Sequence, residues 1–215
     1  VCEKDFEVET ITRLSRVGFD NALGYLKDGF DVRVFEHPNN NSRNLFDDSI
    51  NLEWIMGDFT NPQHVKGAID GCEIVFHLIS TTLPASSNKN PVYDTQSNVV
   101  SSVYMINAAK EAGVKKIIFA SSGGTVYGIP QELPITESHP TNPICSYGIS
   151  KLAIEKHLSL SFRNGGPNYV ALRLSNPYGP MQPSCGKQGI IGAIIEKIMK
   201  KEPLKIWGDG SIVRD

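Results

Sequence analysis

A chain of 215 residues is long enough for one well-filled core, or for one domain and a fraction of a second. Its 21 Lys and Arg nearly balance 23 Asp and Glu, giving a formal net charge of −2, and the two signs are mixed along the chain. This excludes a basic face for nucleic acid or for an anionic membrane, and leaves small-molecule chemistry. Cys2, Cys72, Cys145 and Cys185 stand far apart with no C-x-x-C pair, so they suggest neither a metal site nor a disulfide framework and read as reduced thiols of a cytoplasmic protein. No apolar run is long enough for a membrane span, and no charged-then-apolar leader marks a signal peptide.

Over residues 1–16 acids and bases interrupt every apolar run, and only Val8-Glu9-Thr10-Ile11-Thr12 alternates like a strand. After Phe19 the pattern is regular. Ala22, Leu23 and Leu26 form an apolar stripe, Lys27-Asp28-Gly29 stops that helix, and Asp31–Phe35 is a second strand closed by Glu36. Asn39-Asn40-Asn41-Ser42 is a polar loop, Leu52–Phe59 a third strand with a turn at its end, Gln63–Gly71 a short helix and Glu73–Ser80 a fourth strand. His77, in that strand, has no acid or nucleophile at a readable spacing and is expected to be structural. Pro84–Asn90 reads as a loop. A long helix is expected from Pro91 to Gly113, with Val99, Val103, Ile106, Ala109 and Ala112 on its buried face.

Two short apolar runs then end in small or hydroxyl residues: Lys116-Ile117-Ile118-Phe119-Ala120-Ser121-Ser122-Gly123-Gly124-Thr125-Val126-Tyr127-Gly128, and Ala171-Leu172-Arg173-Leu174-Ser175-Asn176. Each reads as a buried strand delivering polar groups at its carboxyl end, where open α/β sheets bind ligands. Between them lies Ser146-Tyr147-Gly148-Ile149-Ser150-Lys151. On a helix, Tyr147 and Lys151 are i and i+4 and share a face. A phenol titrates near ~10, and a neighbouring ammonium favours the phenolate, so this pair is expected to act as a base near neutral pH.

These motifs, in this order, resemble the extended short-chain dehydrogenase/reductase family, most closely its NAD-dependent nucleotide-sugar epimerases of the UDP-glucose 4-epimerase type. The resemblance runs from Gly18 to the last residue. It implies an α/β fold, a Rossmann-like doubly wound parallel sheet with helices on both faces, over residues 1–175. Residues 176–215 are then an incomplete nucleotide-sugar-binding segment, part of a small C-terminal subdomain. The implied cofactor is NAD. Glu36, closing strand two, suits the ribose hydroxyls and would repel a 2′-phosphate. Asp58 and Phe59 match the family's adenine side, Leu78, Ile79 and Ser80 the strand that meets the cofactor phosphates and ribose, and Asn98 and Ser121 the cofactor side of the catalytic pair. Tyr147 is implied to take the sugar 4-hydroxyl proton, while Lys151 holds the nicotinamide ribose and lowers the tyrosine pKa. The 4-keto sugar so formed turns over and is reduced on its other face, with no net redox. Asn176, Gln188, Gly189, Leu204, Trp207 and Arg214 match the family's nucleotide-diphosphate and uracil contacts, and an Arg fork suits a diphosphate.

The chain also departs from the family pattern. Of the family's glycine turn only Gly18 is present; Thr12 and Ser15 hold the other positions, where Arg13 or Arg16 would have to serve the phosphate instead. Gly123 stands where the family carries its catalytic hydroxyl, leaving Ser122 or Thr125 to supply it. Gly124-Thr125 lacks the paired carboxylates of the family's dehydratases, which disfavours dehydration. Relatives continue past the last residue. The expected function is therefore a UDP-hexose 4-epimerase. The alternatives are a nucleotide-sugar-binding remnant of the same family and a one-way NAD(P)-dependent carbonyl reductase. The expected partner is the nucleotide sugar, with no metal, no nucleic acid and no membrane; a homodimer stays open.

Overall fold

Six short runs rich in Val, Ile and Phe pair into one parallel sheet. They are β1 (Glu9–Thr12), β2 (Val32–Glu36), β3 (Glu53–Met56), β4 (Ile74–His77), β5 (Lys116–Ala120) and β6 (Asn168–Leu172). The computed structural model describes residues 9–12, 16–40, 43, 50, 52–177, 190–204 and 208–209. Strand order is β3-β2-β1-β4-β5-β6, and every neighbouring pair is parallel. This is the doubly wound order, with its switch point between β1 and β4, where Thr12 pairs with Phe35 on one side and His77 on the other. In open α/β sheets ligands bind outside the carboxyl ends of the strands at such a switch point, here β1 and β4.

The helices are α1 (Arg16–Lys27), α2 (Pro62–Ile69), α3 (Pro84–Ser87), α4 (Pro91–Asp94), α5 (Ser101–Glu111), α6 (Gly123–Val126), α7 (Ser146–Arg163) and α8 (Ile190–Lys200). Because strand side chains alternate between faces, Phe35, Val75, Ile117 and Phe119 pack on one side against α2, α5 and α7, through Val65, Ile69, Met105, Ile106, Ile154 and Leu158. Val34 and Phe76 pack on the other side with Ala22 of α1. Both faces are thus covered, as a parallel sheet requires. Truncating a wholly buried ring such as Phe119 to alanine would remove about 3–5 kcal/mol. The chain falls into two units, Val1–Arg173 and Leu174–Asp215. Among described residues the second contains α8, which ends where Lys201 takes a positive φ of 56°.

The segment from Pro91 onward is helical as expected, but not as one regular α-helix. Between α4 and α5, residues Thr95–Val100 form a π-helical turn. A wider turn puts side chains out of step with a stripe drawn at 3.6 residues per turn. The buried set is accordingly Asp94, Ser97, Asn98, Ser101 and Ser102 first, then Met105, Ile106 and Ala109. Val99 and Val103 are half-buried and Ala112 is exposed, which corrects the stripe read from the sequence. Residues 84–87, read as loop, form the short helix α3.

His77 is 1% exposed. Its ring lies between Phe59 and Phe119, at centroid distances of 5.3 and 5.1 Å, and its Nε2 is 2.7 Å from the Ser102 hydroxyl. Nδ1 has no partner. Burial, reinforced by the charge of Lys151, lowers its pKa to about 3. In an unfolded chain the imidazole titrates near ~6.5, so the folded state binds fewer protons between those values. Its contribution to stability is complete above the unfolded value and is lost as pH falls toward 3. Thermal unfolding from neutral pH downward should show a steady loss of Tm beginning near pH ~6.5, and His77→Gln should flatten that part of the curve.

Candidate active site

The polar end of β5 is held in place by backbone bonds and by two close approaches that only glycine permits. Ser121 N donates to Leu172 O at 2.8 Å, which joins the ends of β5 and β6. The chain then makes the single turn of α6 and reverses at Gly128, whose φ is 74°. A Cβ there would lie 1.9 Å from the Asn142 carbonyl oxygen. On α7, a Cβ at Gly148 would lie 2.6 Å from Thr125 O and 2.9 Å from Pro143 Cβ. The absence of both side chains lets α7 press directly on the α6 turn. This contact carries Ser122 and Thr125 on one side and Tyr147 on the other.

Tyr147 and Lys151 occupy consecutive turns of α7, as their spacing predicts. Lys151 is 5% exposed. Its Nζ donates to Ala120 O at 2.7 Å and lies 4.8 Å from the Phe119 ring centroid and 5.5 Å from that of Tyr147. A small cleft is lined by Ile79, Ser80, Asn98, Tyr147, Ser150, Lys151 and Ile154. The first turn of α7 is capped by another segment: Ser146 N donates to Asn88 Oδ1 at 2.8 Å and Tyr147 N to Ser87 Oγ at 3.1 Å. The carboxylate of Asp94, wholly buried, accepts from the Ser146 and Ser150 hydroxyls at 2.7 Å each, from Asn98 Nδ2 at 3.0 Å and from Thr82 Oγ1.

Burial lowers the Lys151 pKa to about 8, partly opposed by the negative charge of Asp94. Tyr147 is raised above its ordinary value by burial, against a lowering hydrogen bond with Ser80. In the protein alone, burial thus favours the neutral phenol. The ammonium is engaged by the Ala120 carbonyl, and desolvation of the phenol dominates.

One turn further along α7, Glu155 accepts from the Ser121 hydroxyl and from Arg173 Nε and Nη2, the last at 2.8 Å. Arg173 also donates to Tyr127 OH at 2.9 Å, with its guanidinium carbon 4.8 Å from that ring's centroid. Hydrogen bonding to Glu155 raises the arginine pKa further. The network ties together the ends of β5 and β6, the turn after α6 and the middle of α7.

The model of the NAD dependent epimerase/dehydratase family matches residues 21–215. The chain belongs to this family. A UDP-glucose 4-epimerase of Mycolicibacterium smegmatis is 36% identical over 143 residues, 66% of this chain and 46% of that protein. A dTDP-4-dehydro-6-deoxyglucose reductase of Escherichia coli is 40% identical over 141 residues, covering 66% and 44% respectively. The crystal structure of a UDP-glucose 4-epimerase with UDP-glucose from Thermotoga maritima superposes with a TM-score of 0.89 at 28% identity, covering 97% of this chain and 68% of that one. The chain thus spans about half the length of these two curated family members.

Within the family frame, the structure brings Tyr147, Lys151, Ser80, Ile79 and Asn98 to one cleft. Asn98 is buried, its amide spent on Asp94 and its Oδ1 on Thr81 N at 2.9 Å, so it is no exposed polar residue. Ser122 precedes α6 and its hydroxyl makes no capping bond, whereas Thr125 Oγ1 is buried without a partner. Glu36 ends β2 and is buried, and its Oε1 accepts from His37 N at 2.9 Å. Asp58 Oδ1 accepts from the Thr60 amide and hydroxyl at 2.8 Å each, which holds its pKa low. Phe59 packs in the core against His77, and the Ser121 hydroxyl donates to Glu155. Leu78 packs on the cluster around Phe76. Gly18 falls in the first turn of α1. Asn176 and Leu204 are exposed. Gln188, Gly189, Trp207 and Arg214, with Arg13 and Ser15, lie outside the described residues. Asp94, Glu155 and Arg173 escaped the sequence reading. The first two lie on the helices that carry Asn98 and Lys151, and an acid at a helical spacing inside an otherwise small, polar stripe was the available signal.

Gly148→Ala should lower stability by about 1–3 kcal/mol through overpacking against α6, while Gly124→Ala, with nothing within 4 Å of its added Cβ, should be nearly neutral. Urea unfolding of the two variants makes this comparison. Lys151→Met should raise Tm at neutral pH, because an ammonium with a depressed pKa is one the fold would rather hold neutral. Since the wild-type lysine loses its proton in the fold at about 8 but in the unfolded chain near ~10.5, the gain should shrink as pH rises through that window.

Proposed function

We propose that the chain carries the cofactor-binding and catalytic part of a UDP-hexose 4-epimerase, with Tyr147 as the proton-transferring group and Lys151 as its partner. The observation that supports this reading most is the buried Lys151 ammonium beside Tyr147 in a cleft at the carboxyl edge of a doubly wound sheet. An ammonium has three donors, and in the structure the Ala120 carbonyl takes one. The remaining two suit a vicinal diol, and so these residues fit the ribose of NAD. Glu36 at the end of β2 fits the second ribose. Gly18, Asp58, the backbone at Phe59, Leu78, Ile79, Ser80, Asn98 and Ser121 border the same crevice in this reading. When bound, NAD supplies a hydride acceptor and donor for sugar C4, and a fixed positive charge that favours the Tyr147 phenolate.

The work of the chain's own residues is to orient and to move a proton. Tyr147 takes the proton of the sugar 4-hydroxyl and returns it, and the capped first turn of α7 fixes where its oxygen sits. Lys151, protonated below about 8, opposes the burial that keeps the phenol neutral. Ser122 is the better candidate for the hydroxyl that steadies the sugar, because its side chain makes no capping bond to α6 while the Thr125 oxygen is buried. Asn176, Gln188, Gly189, Leu204, Trp207 and Arg214 are assigned to the nucleotide diphosphate and uracil. The substrate must be gripped by its nucleotide and held loosely by its sugar, so that both faces of C4 can be presented.

The reductase among the relatives favours a second reading, one-way reduction of a 4-keto nucleotide sugar. Incubation with NAD and UDP-glucose, and in parallel with NADH and a 4-keto nucleotide sugar, separates them. Appearance of UDP-galactose without accumulation of NADH supports the epimerase. Consumption of reduced cofactor one-for-one with a 4-keto sugar supports the reductase. Binding without either reaction identifies a remnant. In the active case Tyr147→Phe should reduce turnover at least ~10²-fold with ligand binding retained, and Ser122→Ala should cost more than Thr125→Val; the reverse order would reassign the hydroxyl.

A further inference from the structure

We infer that Asp94 is a positioning residue for the Tyr147–Lys151 pair: its buried carboxylate fastens the first two turns of α7 to the Thr82–Asn98 segment and is the negative charge that keeps the Lys151 ammonium in place. The inference rests on reading Tyr147 and Lys151 as the reacting pair.

The geometry is specific. Asp94 Oδ2 accepts from Ser146 Oγ and Ser150 Oγ, the residues that immediately precede Tyr147 and Lys151. Its Oδ1 accepts from Asn98 Nδ2 and Thr82 Oγ1, and Asn98 in turn receives Thr81 N. One carboxylate thus holds the lead-in to both reacting side chains and the strand end that brings Ser80 to the cleft. A buried carboxylate is tolerated because its oxygens are fully hydrogen-bonded and because it lies by the amino-terminal turn of a long helix.

Among the described residues, few charges face the ammonium. From β4, His77 is held neutral; from α7, Glu155 is turned to Ser121 and Arg173, and Tyr147 is a phenol; Cys145 precedes that helix. From β5 come only the Phe119 ring and the Ala120 carbonyl. Asp94, from α4, is the charge that raises the lysine against burial, and it raises Tyr147 as well. Removing it must therefore lower both groups.

Asp94→Asn tests this, since the shape is kept and the Ser146 and Ser150 hydroxyls can turn to accept from the new amide. The readout is the Lys151 Cε resonance in 13C-lysine-labelled protein, assigned as the signal missing from Lys151→Met and followed through the neutral and alkaline range. The wild-type midpoint is expected at about 8, and Asp94→Asn should bring it lower. The alkaline limb of the turnover profile should move down with it. An unmoved midpoint would overturn the inference, whatever the activity. A lowered midpoint in a protein that turns over no nucleotide sugar would uphold the placement of Asp94 and defeat the functional reading instead. If Asp94→Asn does not fold, Asp94→Ser is measured: it too removes the charge and leaves a hydroxyl to pair with Ser146 and Ser150, so the midpoint should fall there as well. A midpoint that holds or rises there would equally overturn the inference.

Discussion

A lysine ammonium with almost no water around it is the constraint on which the site is built. Taking such an ion out of solvent is unfavourable by several kcal/mol even after relaxation, and among the described residues no single contact compensates for that. The Ala120 carbonyl, the faces of Phe119 and Tyr147 and the field of Asp94 share the task, and the sum still falls short, because the group remains easier to deprotonate than in water. The residual strain is of the kind found at functional sites, where stability is given up for a reactive protonation state.

From that constraint the surrounding architecture follows. The carbonyl of Ala120 faces inward because β5 ends there and its next amide is tied to β6. The axis of α7 is fixed at its start by Asn88 and Ser87, and midway by the Glu155–Arg173 pair. Gly148 sets how closely α7 approaches the α6 turn. Four elements distant in sequence thereby converge on two side chains one helical turn apart. A parallel sheet makes this convergence economical, since each strand delivers its carboxyl end to the same edge.

Much of this was legible in the residues. The alternation of apolar runs with helical stripes marked the strands and helices, because that pattern depends on local periodicity, while the doubly wound parallel order came with the resemblance to a family. The i, i+4 relation of Tyr147 and Lys151 placed both on α7 for the same reason. What resisted reading depends on partners far away in sequence. The bond from the Ser121 hydroxyl to Glu155 spans thirty-four positions and leaves no local mark. Nor does the packing of Phe59 and Phe119 on either side of His77. The spacing of Tyr147 and Lys151 reports proximity to a charge and says nothing of desolvation, which raises the phenol here. His77 was rightly seen as structural, though only one of its nitrogens is satisfied.

The π-helical turn at Thr95–Val100 divides one long helix into two halves with different tastes. Its first half offers oxygen and amide groups to α7, and its second offers Met105, Ile106 and Ala109 to the sheet. Because the wide turn offsets the two periodicities by one position, the polar half and the greasy half are free to change independently. A substitution that improves packing below the turn leaves the aim of the carboxylate above it untouched. Gain or loss of a single residue here, by contrast, would rotate one half against the other and exchange the faces they present. Along the evolutionary history of such a segment, length should therefore be guarded more strictly than composition.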